Sequence, residues 1–222
     1  MKGLIFCGLV VLGASAQALV VDDFASGGFS SGVFSTGSVS SWVSAGSALG
    51  GSRYNSLNIS LNPLLGDAKY RIIPSAGVLE VSSDADVDTN FTLGYGFASL
   101  STIAGSNPLN QNFTSIPLVN LSFRTNDQVQ PVTVTLFTNG GANSYSRTLN
   151  ISGGLFFPTP ANYLFDFTSD AASLGDVDGI KIDFDPVAGG DFSLNGVQVV
   201  PEPTSIAVLS IGAIALLRRR KK

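Results

Sequence analysis

Residues 132–151 read VTVTLFTNGGANSYSRTLNI, and their pattern is the clearest indication of the fold class. From Val132 to Leu136 apolar side chains alternate with threonines, which is the period of a strand that buries one face. Asn139-Gly140-Gly141 is a turn signal, and the run NSYSRTLNI after it has the composition of a second strand. The stretch therefore predicts an antiparallel β-hairpin.

The same period-two alternation extends along the chain in both directions. Its apolar positions are Phe91, Leu93, Tyr95 and Phe97, then Val119, Leu121 and Phe123, and then Ile180, Ile182 and Phe184. We expect each set to face a common core, with Tyr95 a core residue rather than a binding residue. About ten to twelve such short strands predict an all-β fold, an antiparallel β-sandwich with jelly-roll topology.

In two segments the sequence is compatible with more than one local structure. Residues 25–41 are rich in Gly and Ser, and they predict either a long loop or a poorly specified edge strand. Near the other end, the inward-facing positions change from even to odd numbers between Leu194 and Val197. A β-bulge at Asn195-Gly196 would keep the apolar side chains on both sides of it inward, and a tight turn is the alternative.

The charge pattern and the residue inventory exclude several classes of function. Residues 19–200 carry fifteen acidic and six basic side chains, a net charge of −9, so the clustered cations that nucleic acid requires are lacking. The chain has no histidine, and its one cysteine, Cys7, lies in a segment that we expect to be removed. Ser-His-Asp and Cys-His catalysis and histidine-ligated metals are thereby excluded. We therefore expect a protein that is not an enzyme.

Both ends of the chain have the form of targeting segments. Residues 1–18 combine Lys2, a short apolar run and A-x-A sites, which predicts a secretory signal peptide cleaved after Ala18. Residues 204–217 are uncharged and would be about 21 Å long as a helix, which predicts a short transmembrane helix. By the positive-inside rule, a cytoplasmic basic tail follows, formed by Arg218, Arg219, Arg220, Lys221 and Lys222. Both ends thus place the body, residues 19–200, outside the cytoplasm.

The C-terminal residues resemble a known sorting signal. Pro201, Glu202 and Pro203 precede the apolar segment and the basic tail, and this tripartite order over 201–222 resembles the PEP-CTERM sorting domain of bacterial exported proteins. The resemblance implies an exosortase, a membrane cysteine transpeptidase or protease, as processing partner, and a link to exopolysaccharide and biofilm production. It also implies a transient stay in the inner membrane, followed by delivery to the cell surface or the extracellular space.

One set of candidate calcium ligands follows from spacing alone. Asp84, Asp86 and Asp88 have the spacing that opens an EF-hand loop. The sequence then departs from that loop, because Thr89 replaces its glycine and Tyr95 replaces its bidentate glutamate. Oxygen ligands on a turn can still bind Ca²⁺, and solvated turn aspartates are the alternative.

A second set of candidate calcium ligands follows from a resemblance. The stretch Val21-Asp22-Asp23-Phe24 and the segment 190–197 resemble the first and last strands of galactose-binding-like jelly rolls, a fold shared by several carbohydrate-binding modules. That resemblance implies a structural Ca²⁺ near the paired terminal strands. Its ligands would be Asp22, Asp23 and Asp191.

Trp42 is the candidate glycan contact. It lies in the polar stretch 39–43, VSSWV, where burial in the sandwich and exposure as a sugar platform both fit. The combined observations favour an exported, non-enzymatic protein of the cell surface or extracellular matrix that binds polysaccharide. The alternatives are a purely structural envelope or biofilm component and an ice-binding or adhesive protein, since the same tail has been labelled after an ice-binding protein.

Overall fold

The computed structural model describes residues 17–99, 102–103, 108–156 and 160–202. The predicted signal peptide, apart from its last two residues, lies outside this part of the chain, as do the predicted helix 204–217 and the basic tail. No helix within the described residues is long and apolar enough to cross a membrane.

The described residues form fifteen β-strands joined by turns and short 3-10 segments. In chain order the strands are β1 (Leu19–Asp22), β2 (Phe29–Ser30), β3 (Ser38–Ser44), β4 (Ser52–Leu61), β5 (Ala68–Ile73), β6 (Val78–Ser83), β7 (Asp88–Tyr95), β8 (Phe97–Ser99), β9 (Thr102–Ile103), β10 (Leu118–Asn126), β11 (Gln130–Thr138), β12 (Asn143–Ile151), β13 (Ala161–Asp166), β14 (Val177–Phe184) and β15 (Phe192–Val200). The 3-10 segments are Leu49–Gly51, Pro74–Ala76, Asn139–Gly141 and Thr168–Ser173.

Thirteen of these strands form two sheets, and every pairing between neighbours is antiparallel. Sheet A has the order β13-β10-β15-β6-β5-β2, and β1 pairs with β15 as a further strand. Sheet B has the order β12-β11-β14-β7-β4-β3, and β8 and β9 form a separate two-stranded ribbon. The chain crosses repeatedly from one sheet to the other, as in a jelly roll. The predicted all-β antiparallel sandwich is confirmed.

The alternation predicted from sequence places the core between the two sheets. Val132, Val134 and Leu136 are fully buried, and β11 and β12 form the predicted hairpin around Asn139–Gly141. The bulge at 195–196 is also found, because the register with β10 skips Asn195 between Leu194 and Gly196. Residues 25–41 are predicted to be either a long loop or an edge strand, and they contain both. A loop separates the two-residue strand β2 from the beginning of the edge strand β3.

One predicted core position is wrong. Phe91, Leu93 and Tyr95 face the core, but Phe97 does not continue their face. Gly96 has a φ of +77°, which turns the chain at the end of β7. The Phe97 ring then lies over the outer side of sheet B, where a Cβ at Gly94 would meet its Cδ2 at 3.2 Å.

A buried ion pair joins the two sheets. Asp22 of β1 in sheet A and Arg53 of β4 in sheet B are both fully buried, and Arg53 Nε and Nη2 donate to the two carboxylate oxygens at 2.5 and 2.9 Å. The Tyr95 hydroxyl lies 3.0 Å from Asp22 Oδ2, the Phe24 amide donates to Oδ1 at 2.8 Å, and the Arg53 guanidinium lies over the Phe24 ring. Every polar atom of the carboxylate is thus engaged inside the core.

The electrostatics of this pair follow from its burial. Burial is the largest single influence and opposes the charge on Arg53, but the hydrogen bonds and electrostatic interactions with Asp22 and Tyr95 together outweigh it and raise the Arg53 pKa. Burial and the charge of Asp22 raise the pKa of the Tyr95 hydroxyl well above its usual value. The arrangement therefore holds one positive and one negative charge beside a neutral phenol.

A second polar contact links the sheets some distance away. The Tyr70 hydroxyl of β5 and Ser41 Oγ of β3 lie 2.9 Å apart, and Asn55 Nδ2 donates to the same serine at 3.2 Å. Burial raises the pKa of Tyr70 to about 12. The phenol therefore stays neutral, and it can donate to Ser41 without placing a charge in the core.

We predict that replacing Asp22 by Asn lowers the free energy of unfolding by about 3–5 kcal/mol, because the Arg53 charge stays buried without its counter-ion. The measurement is urea denaturation of the full-length protein, followed by far-UV circular dichroism. Glu80→Gln is the matched control, because it removes one carboxylate from an ion pair whose Arg71 side chain is 52% exposed. That variant should lose less than about 1 kcal/mol. Equal losses in the two variants would contradict a structural role for the buried pair.

Candidate functional site

The outer face of sheet B carries a polar surface with one exposed aromatic side chain. Strand register aligns one row of outward residues across all six strands: Trp42, Tyr54, Gly94, Lys181, Thr135 and Ser146. The adjacent row consists of Ser40, Ser56, Thr92, Asp183, Thr133 and Thr148. Six strands at about 4.8 Å spacing make this face roughly 24 Å wide. We call it the sheet B face.

Trp42 is the exposed aromatic residue of the sheet B face. Trp42 lies on the edge strand β3, and its side chain is 57% exposed. The sequence leaves both burial and exposure open for this residue, and the structure shows that it is exposed. The indole Nε1 donates to the Phe97 carbonyl at 3.0 Å. This bond satisfies the one polar atom of the ring and fixes its orientation, so its apolar surface faces solvent in a defined position.

Other aromatic side chains support the position of Trp42. Tyr54 is its cross-strand partner on β4, and it is nearly buried. The Phe97 ring lies over Gly94 in the same row and packs edge-on against Phe137, with centroids 5.3 Å apart. Alternation predicts that Phe97 faces the core, so the sequence does not reveal that its ring supports this surface. The one sequence signal for that role is the pair of glycines at 94 and 96.

Charged and hydroxyl groups lie beside the aromatic residues. Asp183 Oδ1 accepts from the Thr92 hydroxyl at 2.8 Å, and Asp183 Oδ2 lies 3.0 Å from Lys181 Nζ. All three side chains are partly exposed. A carboxylate and an ammonium group held in place beside an apolar ring provide both acceptors and donors for a polyhydroxylated ligand.

The structure does not bring the three aspartates of the terminal strands together. Asp22 is engaged by Arg53, and it pairs with Val197, which lies six residues and roughly 15–20 Å along β15 from Asp191. Asp23 is exposed, and the hydrogen bond from the Ala25 amide lowers its pKa. Asp191 accepts a hydrogen bond from the Ser83 amide at 2.8 Å. Partial desolvation raises the pKa of Asp191, and this effect exceeds the lowering that the hydrogen bond causes.

The other candidate calcium set, Asp84, Asp86 and Asp88, lies at the turn between β6 and β7, and Asp88 is the first residue of β7. Asp84 and Asp86 are exposed, and Asp84 accepts from the Asp67 amide at 2.9 Å. Partial burial of Asp185, and secondly the negative charge of nearby Asp88, raise the pKa of the Asp185 carboxyl. Across the described ranges, no group of three or more acidic side chains is arranged to hold a metal ion. Calcium binding stays a prediction from the sequence.

The sorting residues begin where the sandwich ends. Strand β15 extends to Val200, and its partner β10 pairs with that residue through Leu118. Pro201 is buried and Glu202 is half-buried, whereas Pro203 and the residues after it lie outside the described part. The chain therefore passes from a paired strand into the sorting residues without an intervening loop.

Comparisons with known proteins match the tail and the architecture separately. The family model described as the PEP-CTERM protein-sorting motif matches residues 199–221. No curated protein matches the chain. Among solved structures, the chain is similar to the family 11 carbohydrate-binding module of the cellulosomal cellulase Lic26A-Cel5E of Clostridium thermocellum, with 9% identity, a TM-score of 0.40, and coverage of 85% of this chain and 97% of that one.

A second similar structure is a family 29 carbohydrate-binding module complexed with cellulohexaose. Identity is 10%, the TM-score is 0.35, and the match covers 82% of this chain and 89% of that one. The tail match agrees with the order of Pro201, Glu202 and Pro203 before an apolar segment and a basic end. The chain carries a PEP-CTERM protein-sorting motif at residues 199–221, which indicates export and sorting to the cell envelope.

Proposed function

We propose that this protein is a non-enzymatic polysaccharide-binding protein of the cell surface or extracellular matrix, and that the sheet B face is its binding surface. The observation that supports this proposal most directly is Trp42, an exposed indole with a fixed orientation at the edge of a face whose middle carries hydroxyl and charged side chains. A sugar ring has an apolar face of C–H groups and a rim of hydroxyls. The indole suits the apolar face of a sugar unit at the β3 edge, and Thr92, Lys181 and Asp183 suit the hydroxyls of units farther along the face.

The geometry suits an extended chain rather than a small molecule in a pocket. The aligned rows run across the strands for roughly 24 Å, which offers a track for several sugar units in line. Trp42 lies at the β3 edge of this track, and the ion pair of Lys181 with Asp183 lies near its middle. A rigid sheet presents these groups with little loss of conformational freedom on binding.

We predict that Trp42→Ala weakens binding of the full-length protein to neutral β-glucans by roughly thirtyfold, the factor that matches about 2 kcal/mol for an aromatic hot spot. The ring supplies the main apolar contact, so its loss should raise the dissociation constant. A glycan array identifies the best ligand, and isothermal titration calorimetry then measures the dissociation constants.

The matched control is Leu164→Ala, which removes an apolar side chain that is 45% exposed on β13 of the opposite sheet. This variant should bind as the wild type does. If Trp42→Ala and Leu164→Ala have the same affinity, the sheet B face is not the binding surface. If the wild-type protein binds no polysaccharide on the array, the proposal fails, and a purely structural role in the envelope or biofilm is favoured instead.

We further propose that an exosortase-type membrane enzyme cuts the chain near Pro201–Pro203 and releases the body outward. Val199 is fully buried and pairs both with β10 and with β1, so residues up to 200 cannot enter a protease groove while the sandwich is folded. The cut should therefore fall at or after the buried Pro201. The mature protein would then keep all of β15.

We predict that replacing Pro201, Glu202 and Pro203 together by Ala blocks processing but leaves membrane insertion intact, because residues 204–222 are unchanged. The measurement is C-terminal mass spectrometry of the surface-exposed protein in a host with the enzyme. The same host without the enzyme is the control. A mature protein that retains Arg218–Lys222 would show that no cut occurs, and normal processing of the triple variant would show that these residues are not recognised.

A further inference from the structure

The outer face of sheet A carries a groove with unusual charge. The body has only six basic side chains, and Arg53 is buried, so five remain at the surface. Three of these five line one groove of about 420 Å³: Lys69 and Arg71 of β5 and Arg124 of β10. In a body with fifteen acidic side chains, this groove thus collects half of the six basic ones. We call it the sheet A groove.

Strand register explains how distant residues meet there. Arg71 pairs with Glu80 on β6, Glu80 pairs with Ser193 on β15, and Ser193 pairs with Thr125 on β10. The register between β10 and β15 shifts on both sides of Phe123, next to Arg124. The four strands thus place side chains from four separate parts of the sequence in one concave surface.

The polar groups of the groove are of two kinds. Besides the three cations, Glu80 forms an ion pair with Arg71 at 2.5 Å, and Asp191 also lines the groove. Hydroxyl groups lie between the charges, and Thr125 Oγ1 and Ser193 Oγ are 2.7 Å apart. The groove therefore presents cations for an anionic group and carboxylates and hydroxyls for a ligand's own hydroxyls.

This combination of groups disfavours two classes of ligand, nucleic acids and neutral glycans. A nucleic acid needs a continuous run of cations, whereas here two carboxylates lie among three cations. A neutral glycan can accept hydrogen bonds from guanidinium groups but leaves their charge unmatched, whereas a carboxylate meets them in bidentate geometry. A polyhydroxylated chain with carboxylates uses both kinds of group at once.

We propose that the sheet A groove binds an acidic polysaccharide, a polymer of uronate-type sugars, as a second site on the sheet opposite Trp42. Arg71 and Arg124 bind the sugar carboxylates, and Lys69 adds a positive point charge. Glu80 and Asp191 accept hydrogen bonds from the sugar hydroxyls. This inference goes beyond the proposed function and does not depend on the sheet B face. If both sites operate, one body domain joins two polysaccharide chains.

The test uses the full-length protein in a non-ionic detergent with two probes that share a backbone, polygalacturonate and its highly methyl-esterified form. We expect binding to polygalacturonate that weakens as salt rises, with at least tenfold weaker binding to the ester, because esterification removes the carboxylate charges. Equal binding of the two probes, or no binding of polygalacturonate, would overturn the proposal.

The triple variant Lys69→Gln, Arg71→Gln and Arg124→Gln should lose at least tenfold in affinity for polygalacturonate. Arg71→Gln alone, at a half-exposed side chain, should lose about fivefold, and it keeps the test valid if the triple variant does not fold. Arg147→Gln removes a charge on β12 of the other sheet and should have no effect. An equal loss in Arg147→Gln would mean that net charge alone is sensed, and would overturn the site.

Trp42→Ala separates this proposal from the previous one. It should leave polygalacturonate binding unchanged, whatever its effect on neutral glucans. Loss of polygalacturonate binding in Trp42→Ala would place the acidic ligand on the sheet B face and refute a second site. Retained polygalacturonate binding in a protein that ignores neutral glucans would refute the sheet B proposal alone.

Discussion

The ion pair between Asp22 and Arg53 sets the constraint that the rest of the sandwich obeys. It removes two opposite charges from water, and such burial is tolerated only where each charge finds its partner. Asp22 belongs to the first strand of sheet A and Arg53 to sheet B, so the pair fixes how the sheets face each other. A one-residue slip of β1 would turn the carboxylate outward and leave Arg53 alone in the core. The pair therefore specifies register as well as joining layers.

With the interior fixed in this way, the two outer faces are free to differ. The sheet B face combines one exposed indole with Ser, Thr and a single ion pair, whereas the sheet A groove combines three cations with two carboxylates. Neither surface depends on the other for its shape, because the core separates them. A small β domain can in this way carry two recognition chemistries without a linker or a second domain.

The sequence predicts the strands well because side-chain alternation is local. It predicts the 132–151 hairpin and the inward faces of β10, β11 and β14, and it gives the bulge beside Leu194 as one of two alternatives. It fails at Phe97, since one residue with positive φ at Gly96 reverses the face that alternation assigns. Local rules assume an extended backbone, and a single left-handed residue breaks that assumption.

The sites are harder to predict because they depend on which strands become neighbours. The jelly-roll resemblance implies that Asp22 is a calcium ligand, yet its partner Arg53 lies 31 residues away, in the other sheet. The sheet A groove has no sequence signature, because its cations come from β5 and β10, which never pair with each other. The sorting motif is the opposite case. Its residues are contiguous, so the sequence identifies it without knowledge of the fold.

The place of β15 in sheet A bears on when the domain can fold. β15 is the last of the fifteen strands, yet it lies in the middle of the sheet, with β10 on one side and β6 and β1 on the other. Without it, sheet A consists of separate pieces, and β1 must wait for a partner about 180 positions later, as Leu19 pairs with Val199. A chain that crosses a membrane from its N-terminus therefore cannot close this sheet until residues 192–200 have also crossed. Sheet A can then be completed only on the far side of the membrane, by the last strand to arrive.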